Sequence, residues 1–237
     1  MGISIKMKFD FDRHGREYES GLDRALKFSG KGTSFFAEIR AAYILGLCKK
    51  YLGNPAEKKV LDVGCGIGLI ERQVATEFGS FHGVDISEQS VRIAQAANPR
   101  CSFTVYNGES LPFPDNSFDL VFSSCVLEYL TQPKLSEFFR EMIRVLNVGG
   151  MMVVIQHNPF NPLTLLVLHR CEYDSVSNQY RKGRLEKMIR KTGMKIEKSE
   201  YILFFPFIGK WFRKLEVRLG WLPLGAQYAI AAVKQTS

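Results

Sequence analysis

From residue 58 onward, short and near-continuously apolar runs alternate with longer stretches of helical periodicity. "KVLDVG" precedes "LIERQVATEFG", "FHGVD" precedes "SEQSVRIAQAAN", and "FDLVFSS" precedes "KLSEFFREMIRVLN" and then "MMVVIQH". Runs without polar alternation suit strands covered on both faces, and their alternation with helices argues for crossover units on a parallel sheet. The C-terminal third breaks the pattern. "KIEKSEYILFF" and "AQYAIAAVKQ" read as strands joined by about 20 residues with no full crossover helix, which suits an antiparallel edge.

Upstream, residues 1–33 read as an irregular charged arm. "SFFAEIRAAYILGLCKKYLG" reads as a helix capped by Ser34 and stopped at Gly53. The expected division is 1–57, an N-terminal arm and helix covering the active site, and 58–237, a ligand-binding domain with an amphipathic insertion at 206–225.

The chemistry gathers at "VLDVGCGIG", residues 60–68, where Gly64, Gly66 and Gly68 follow a strand. Glycines there let backbone approach a ligand, and the helix expected to begin near Gly68 would offer free N–H groups. In open α/β sheets ligands sit beyond the carboxyl ends of the strands, where strand order reverses. Asp85, 21 residues after Gly64, ends the next strand and is placed to accept ribose hydroxyls. A glycine turn plus this acid points to an adenosine-containing ligand without choosing between a dinucleotide and S-adenosylmethionine. Leu69 stands where a dinucleotide fingerprint wants glycine, and the Asp62 carboxylate would repel a pyrophosphate but receive an ammonium. Polar residues at other strand ends, Asn107, Glu109, Ser123 and Ser124, suit an adenine.

At these residues the sequence resembles the class I S-adenosylmethionine-dependent methyltransferases. "LDVGCGIG" resembles their glycine motif and "GVDIS" their ribose-binding loop. "NGESLPFPDNSFDLVFSSCVLEYL" and "RVLNVGG" resemble two further motifs in the same order. The resemblance implies a doubly wound, mostly parallel seven-stranded Rossmann-like α/β sheet with an antiparallel C-terminal edge strand and an N-terminal helical arm. It implies S-adenosyl-L-methionine as cofactor. Asp85 would hold the ribose, Gly64 and Gly66 would lie beside the amino-acid moiety, and Ile86, Asn107 and Gly108 would lie around adenine. From their positions alone, Asp62, Cys65, Gly68, Glu109 and Ser123 are further cofactor-binding candidates, and Tyr18 of the arm is either a lid over the cofactor or simple packing. Asn107 replaces the family's usual Asp, Tyr129 a common His, and Asn147-Val148 a Lys-Pro. The outer segments "HNPFNPLT" and "WLPLGAQY" resemble a bacterial subgroup of these enzymes.

His157, after the fifth apolar run, is a candidate general base or a turn cap, and Tyr129 is a second catalytic candidate. Cys65 reads as a small packing residue, since no histidine partner is indicated. No Cys/His pattern suggests a metal. Five widely spaced cysteines read as reduced thiols, and no apolar leader is visible, which points to the cytoplasm.

The acceptor expected is a small molecule or a lipid- or glycan-linked one. In the insertion, Ile208, Trp211, Phe212, Leu215, Leu219 and Leu222 repeat at helical spacing beside Lys210, Arg213, Lys214 and Arg218. That pattern suits peripheral contact with the inner membrane face through 207–222, or a lid or dimer contact. A net charge of +8 fits anionic partners or mere solubility. Nucleic acid is disfavoured, because the aromatics do not interleave with Lys/Arg. A non-catalytic S-adenosylmethionine-binding module and a nicotinamide dehydrogenase are the alternatives.

Overall fold

The computed structural model describes residues 32–170, 178–204 and 218–236. Tyr18 and most of the insertion's apolar repeat therefore lie outside the described residues. Helix α1 spans Thr33–Tyr51. Strand β1 (Lys59–Val63) runs through the glycine turn into the short α2 (Glu71–Val74). Then follow β2 (Ser80–Asp85), α3 (Glu88–Ala97), β3 (Ser102–Val105), β4 (Phe118–Ser124), α4 (Gln132–Val145) and β5 (Leu146–His157). Helices α5 (Pro162–Arg170) and α6 (Lys182–Lys191) lead to β6 (Lys195–Ile202) and β7 (Gln227–Val233).

The seven strands order as β3-β2-β1-β4-β5-β7-β6, with β7 antiparallel to both neighbours. The C-terminal strand is thus the antiparallel one, and it slots between β5 and β6, leaving β6 outermost. Strand order reverses between β1 and β4, so their carboxyl ends frame the crevice predicted for a ligand.

Side-chain alternation along the strands sorts the core onto two faces. Leu61, Val63, Val121, Met152 and Ile230 pack with Leu135, Phe139 and Met142 of α4 and Leu185 and Ile189 of α6. Val60, Phe81, Phe122 and Val153 pack on the other face with Ala37, Ala41 and Ile44 of α1 and with Ile70 and Val74. By that alternation Asp62 shares the face of Val60 and looks toward α1 and α2.

Three local expectations change. The first helix starts two residues earlier, with Gly32 at its N-cap in place of Ser34 and no side-chain cap, so Ser34 lies inside it. "LIERQVATEFG" forms only four α-helical residues before a 3-10 turn at Ala75–Glu77. At the described end of the insertion, helix stops at Leu219, short of Leu222, and 220–225 is a turn whose backbone meets β6, with the Tyr201 N–H donating to the Gly220 carbonyl at 2.7 Å.

Candidate functional site

All three motif glycines have positive φ: +87° at Gly64, +54° at Gly66 and +76° at Gly68. L-residues with a Cβ rarely tolerate that conformation. Crowding adds to the need at two of them. A Cβ on Gly64 would stand 2.3 Å from Cγ2 of Val126, and one on Gly68 would stand 2.5 Å from Nδ2 of Asn98. Around Gly66 the same position is open space. The backbone at Gly66 therefore faces open space, while its neighbours are locked against the segment after β4 and the C-terminal end of α3.

The sequence leads one to expect free amides where the helix begins, and four amides of the turn leading to it are already bonded. The N–H groups of Gly64 and Cys65 donate to the Val84 carbonyl at 2.8 and 3.0 Å, and that of Gly68 to the Cys65 carbonyl at 3.1 Å. The Gly66 N–H donates to Oδ2 of Asp85 at 2.8 Å. Helix α2 has only four residues, too few to present an aligned dipole. These amides are spent within the turn, and what borders the crevice is negative charge.

Asp85 is half-buried and closes the turn from β2, accepting also from the Ser87 N–H at 2.9 Å through Oδ1. A carboxylate has about four acceptor sites, and these backbone bonds engage both of its oxygens. Asp62 is 2% exposed, and its Oδ1 has no hydrogen-bond partner. Burial, with Glu71 as the next cause, holds its carboxyl well above the usual carboxylate range. Cys65 is buried; burial first, then the surrounding carboxylates, pushes its thiol up, which leaves it unreactive in the turn.

Ile86 and Gly108 meet at the far end of the crevice: a Cβ on Gly108 would lie 3.3 Å from Cγ2 of Ile86. Ile86 is 53% exposed, an apolar side chain presented to the opening. Asn107 folds its Oδ1 onto the N–H groups of Glu109 and Ser110, both at 2.9 Å, so it shapes the turn. Two predicted contacts are used elsewhere. The hydroxyl of the fully buried Ser123 donates to the Val63 carbonyl at 2.8 Å and ties β4 to β1. The Glu109 carboxylate pairs with Nζ of Lys134 at 2.8 Å.

Past β4 the chain forms a 3-10 turn at Leu127–Tyr129, which carries Tyr129 half-buried. Buried Gln156 of β5 steadies it: with the amide oxygen turned to the backbone, it accepts from Leu127 at 2.9 Å and Val126 at 3.1 Å. His157 is the next residue, and its Nε2 stands 4.0 Å from Oε1 of the buried Glu128. The imidazole and this carboxyl therefore sit together at the carboxyl edge of the sheet.

Sequence reasoning passed over two residues. Arg40 of α1 is half-buried and reaches the crevice, donating through NH1 to Oγ of Ser124 at 3.1 Å and to Sγ of Cys125 at 3.6 Å. Glu71 of α2 is buried beside Asp62. Arg40 lies 84 residues before Ser124, and nothing local signals the contact.

Residues 60–150 match a family model described as a methyltransferase domain. Ajmaline N-methyltransferase of Rauvolfia serpentina is 33% identical over 161 residues, covering 64% of this chain and 50% of the relative. The 2-methyl-6-phytyl-1,4-hydroquinone methyltransferase of Synechocystis sp. is 38% identical over 108 residues, covering 44% and 33% respectively. The chain thus spans a half or less of these relatives' length. A crystal structure of an S-adenosylmethionine-dependent methyltransferase from Thermotoga maritima superposes with TM-score 0.66 at 19% identity, covering 97% of this chain and all of the other. That likeness speaks to the fold.

Proposed function

We propose, from the match of residues 60–150 to a methyltransferase-domain model, that the chain transfers a methyl group from S-adenosylmethionine to a small, apolar acceptor bearing a ring or a prenyl chain. The carrying observation is the charge of the crevice. The amides of Gly64, Cys65, Gly66 and Gly68 are already bonded, and Asp62 and Asp85 border the turn, an arrangement hostile to a pyrophosphate and suited to a ligand bearing ammonium and sulfonium charge. The residues fit that ligand. The orphaned Oδ1 of Asp62 calls for a donor, and the open side of Gly66 leaves room for one. When bound, S-adenosylmethionine supplies a methyl group already activated for in-line displacement.

The chain's own residues then bind, orient and exclude water. Asp85 would accept the ribose hydroxyls, Asp62 the ammonium, and Arg40 would meet the carboxylate of the same amino-acid end. Ile86 and Gly108 would cover the adenine. Alignment of donor and acceptor in such a site contributes on the order of 7–11 kcal/mol. His157, backed by Glu128, would take a proton from an acceptor that carries one.

The carboxyl edge of the sheet favours an apolar acceptor. Phe160, Leu165, Leu166, Trp221 and Leu224 are all exposed there. Asn158 and Asn161 hold the two segments together, donating to the Pro223, Gly225 and Leu224 carbonyls at 2.9, 2.7 and 2.6 Å. The phytyl-hydroquinone named for the Synechocystis relative is an acceptor of that chemistry. Such a substrate would be met at a membrane surface, with 207–222 as the contact; no described helix is long and apolar enough to cross a bilayer. No finding favours the non-catalytic alternative.

Calorimetry with S-adenosylmethionine and its demethylated product should show micromolar binding, and absence of both would reject the reading. Asp85→Ala is expected to weaken binding by about 2–3 kcal/mol, since it removes charge-assisted bonds and frees the Gly66 amide. Labelled methyl supplied to fractionated extracts should appear in the lipid fraction; label confined to water-soluble material would overturn the apolar acceptor.

A further inference from the structure

Beneath the glycine turn, two carboxyl groups are buried together. Asp62 is 2% exposed and Glu71 1%. Oδ1 of Asp62 and both carboxyl oxygens of Glu71 lack a hydrogen-bond partner. The two groups are near enough for each to shift the ionisation of the other. Two ionised carboxylates offer acceptors only, and burying both without a donor would cost many kcal/mol. A proton between them converts the repulsion into a hydrogen bond.

We propose that Asp62 and Glu71 share one proton in the unliganded protein, and that the ammonium of the cofactor's amino-acid end displaces it to solvent. This rests on the methyltransferase reading. Glu71 is then a positioning residue: it acts through Asp62 and keeps that carboxyl aimed at the crevice without a net charge of two. On binding, the proton leaves for the buffer, both carboxyls are ionised, and the ammonium supplies the compensating charge. Among the described residues, Arg40 on α1 is the attractive charge that faces the pair, and it lowers Asp62. The other groups facing the pair are Asp85 from β2, Cys65 from the turn and Cys101 before β3. Asp85 opposes ionisation of both acids, and the two thiols stay protonated because burial raises them.

Burial raises both acids, Glu71 to about 7, the reverse of the usual surface carboxylate. A carboxyl whose folded pKa is raised binds protons more tightly in the native state. Its stabilising contribution is present below the unfolded value of 4.5 and is lost as pH rises toward 7.

The test is titration of the intact chain with S-adenosylhomocysteine in buffers of different ionisation enthalpy at neutral pH. Wild type should release close to one proton per site, and Glu71→Gln should release none while still binding. An enthalpy independent of buffer in wild type, or equal release by both proteins, would overturn the proposal. Melting of the unliganded protein from about pH 5 to about pH 8 gives a second arm that needs no cofactor. The melting temperature of wild type should fall across that range relative to Glu71→Gln or Asp62→Asn, and parallel curves would sink the shared proton. Failure of any ligand to bind wild type would count against the methyltransferase reading, and the melts would still decide on the proton.

Discussion

Gly64→Ala is expected to destabilise the fold by about 2–5 kcal/mol and to remove measurable cofactor binding, the sum of a left-handed backbone cost of about 1–2 kcal/mol and overpacking of about 1–3 kcal/mol. The two contributions come from separate observations. At φ +87° any Cβ is strained, and here it would stand 2.3 Å from Cγ2 of Val126. Val126 cannot recoil freely, because its own amide is held by Gln156 and its carbonyl accepts from the Tyr129 N–H at 3.0 Å. Pushing it away would shift the 127–129 turn, so damage at the cofactor end would spread to the acceptor end. Val126→Ala in the same chain should restore the packing share and leave the backbone share. Denaturant melts of the single and double variants separate the two. Gly66→Ala serves as the control: its Cβ meets nothing, so stability should suffer only the backbone cost.

The glycine turn was readable because its constraint is local. Positive φ after an apolar strand needs glycine whatever the surroundings, and the spacing to Asp85 follows from one crossover. The strand runs were equally plain, since β5 and β7 are buried on both faces and carry little polar alternation. Residues whose role depends on a partner from elsewhere in the chain were hidden. Ser123 looks like any strand-end serine until Val63 is seen beside it, 60 residues away in sequence. Arg40 sits in an ordinary helix, and only the packing of α1 over β4 aims it at Ser124. That four amides of the turn are already bonded was equally hidden, because Val84 and Asp85 capture three of them from the next strand. Periodicity reveals which face of a segment is buried; it carries no record of what it is buried against.

His157→Gln is expected to lower kcat by about 100-fold or more, the ordinary contribution of a positioned general base, while leaving the affinity for S-adenosylmethionine unchanged. The competing role, capping the turn after β5, belongs to its neighbours. Asn158 accepts from the Phe160 N–H at 3.1 Å, and Asn161 accepts from the Thr164 N–H at 2.9 Å. The backbone of His157 is meanwhile fixed by its pairing with Gln227 of β7, so its side chain leaves the sheet at a defined place. Nε2 lies 4.0 Å from Oε1 of the buried Glu128, beyond a hydrogen bond but within reach of one relayed through a small donor. Glutamine keeps the size and polarity of the ring but cannot take a proton, so a merely structural histidine would tolerate the exchange. Glu128→Gln should then lower kcat by a smaller factor with the same unchanged cofactor affinity. Full kcat in His157→Gln with a hydroxyl acceptor would assign proton removal elsewhere, and Tyr129 on the facing turn would be the next residue to replace.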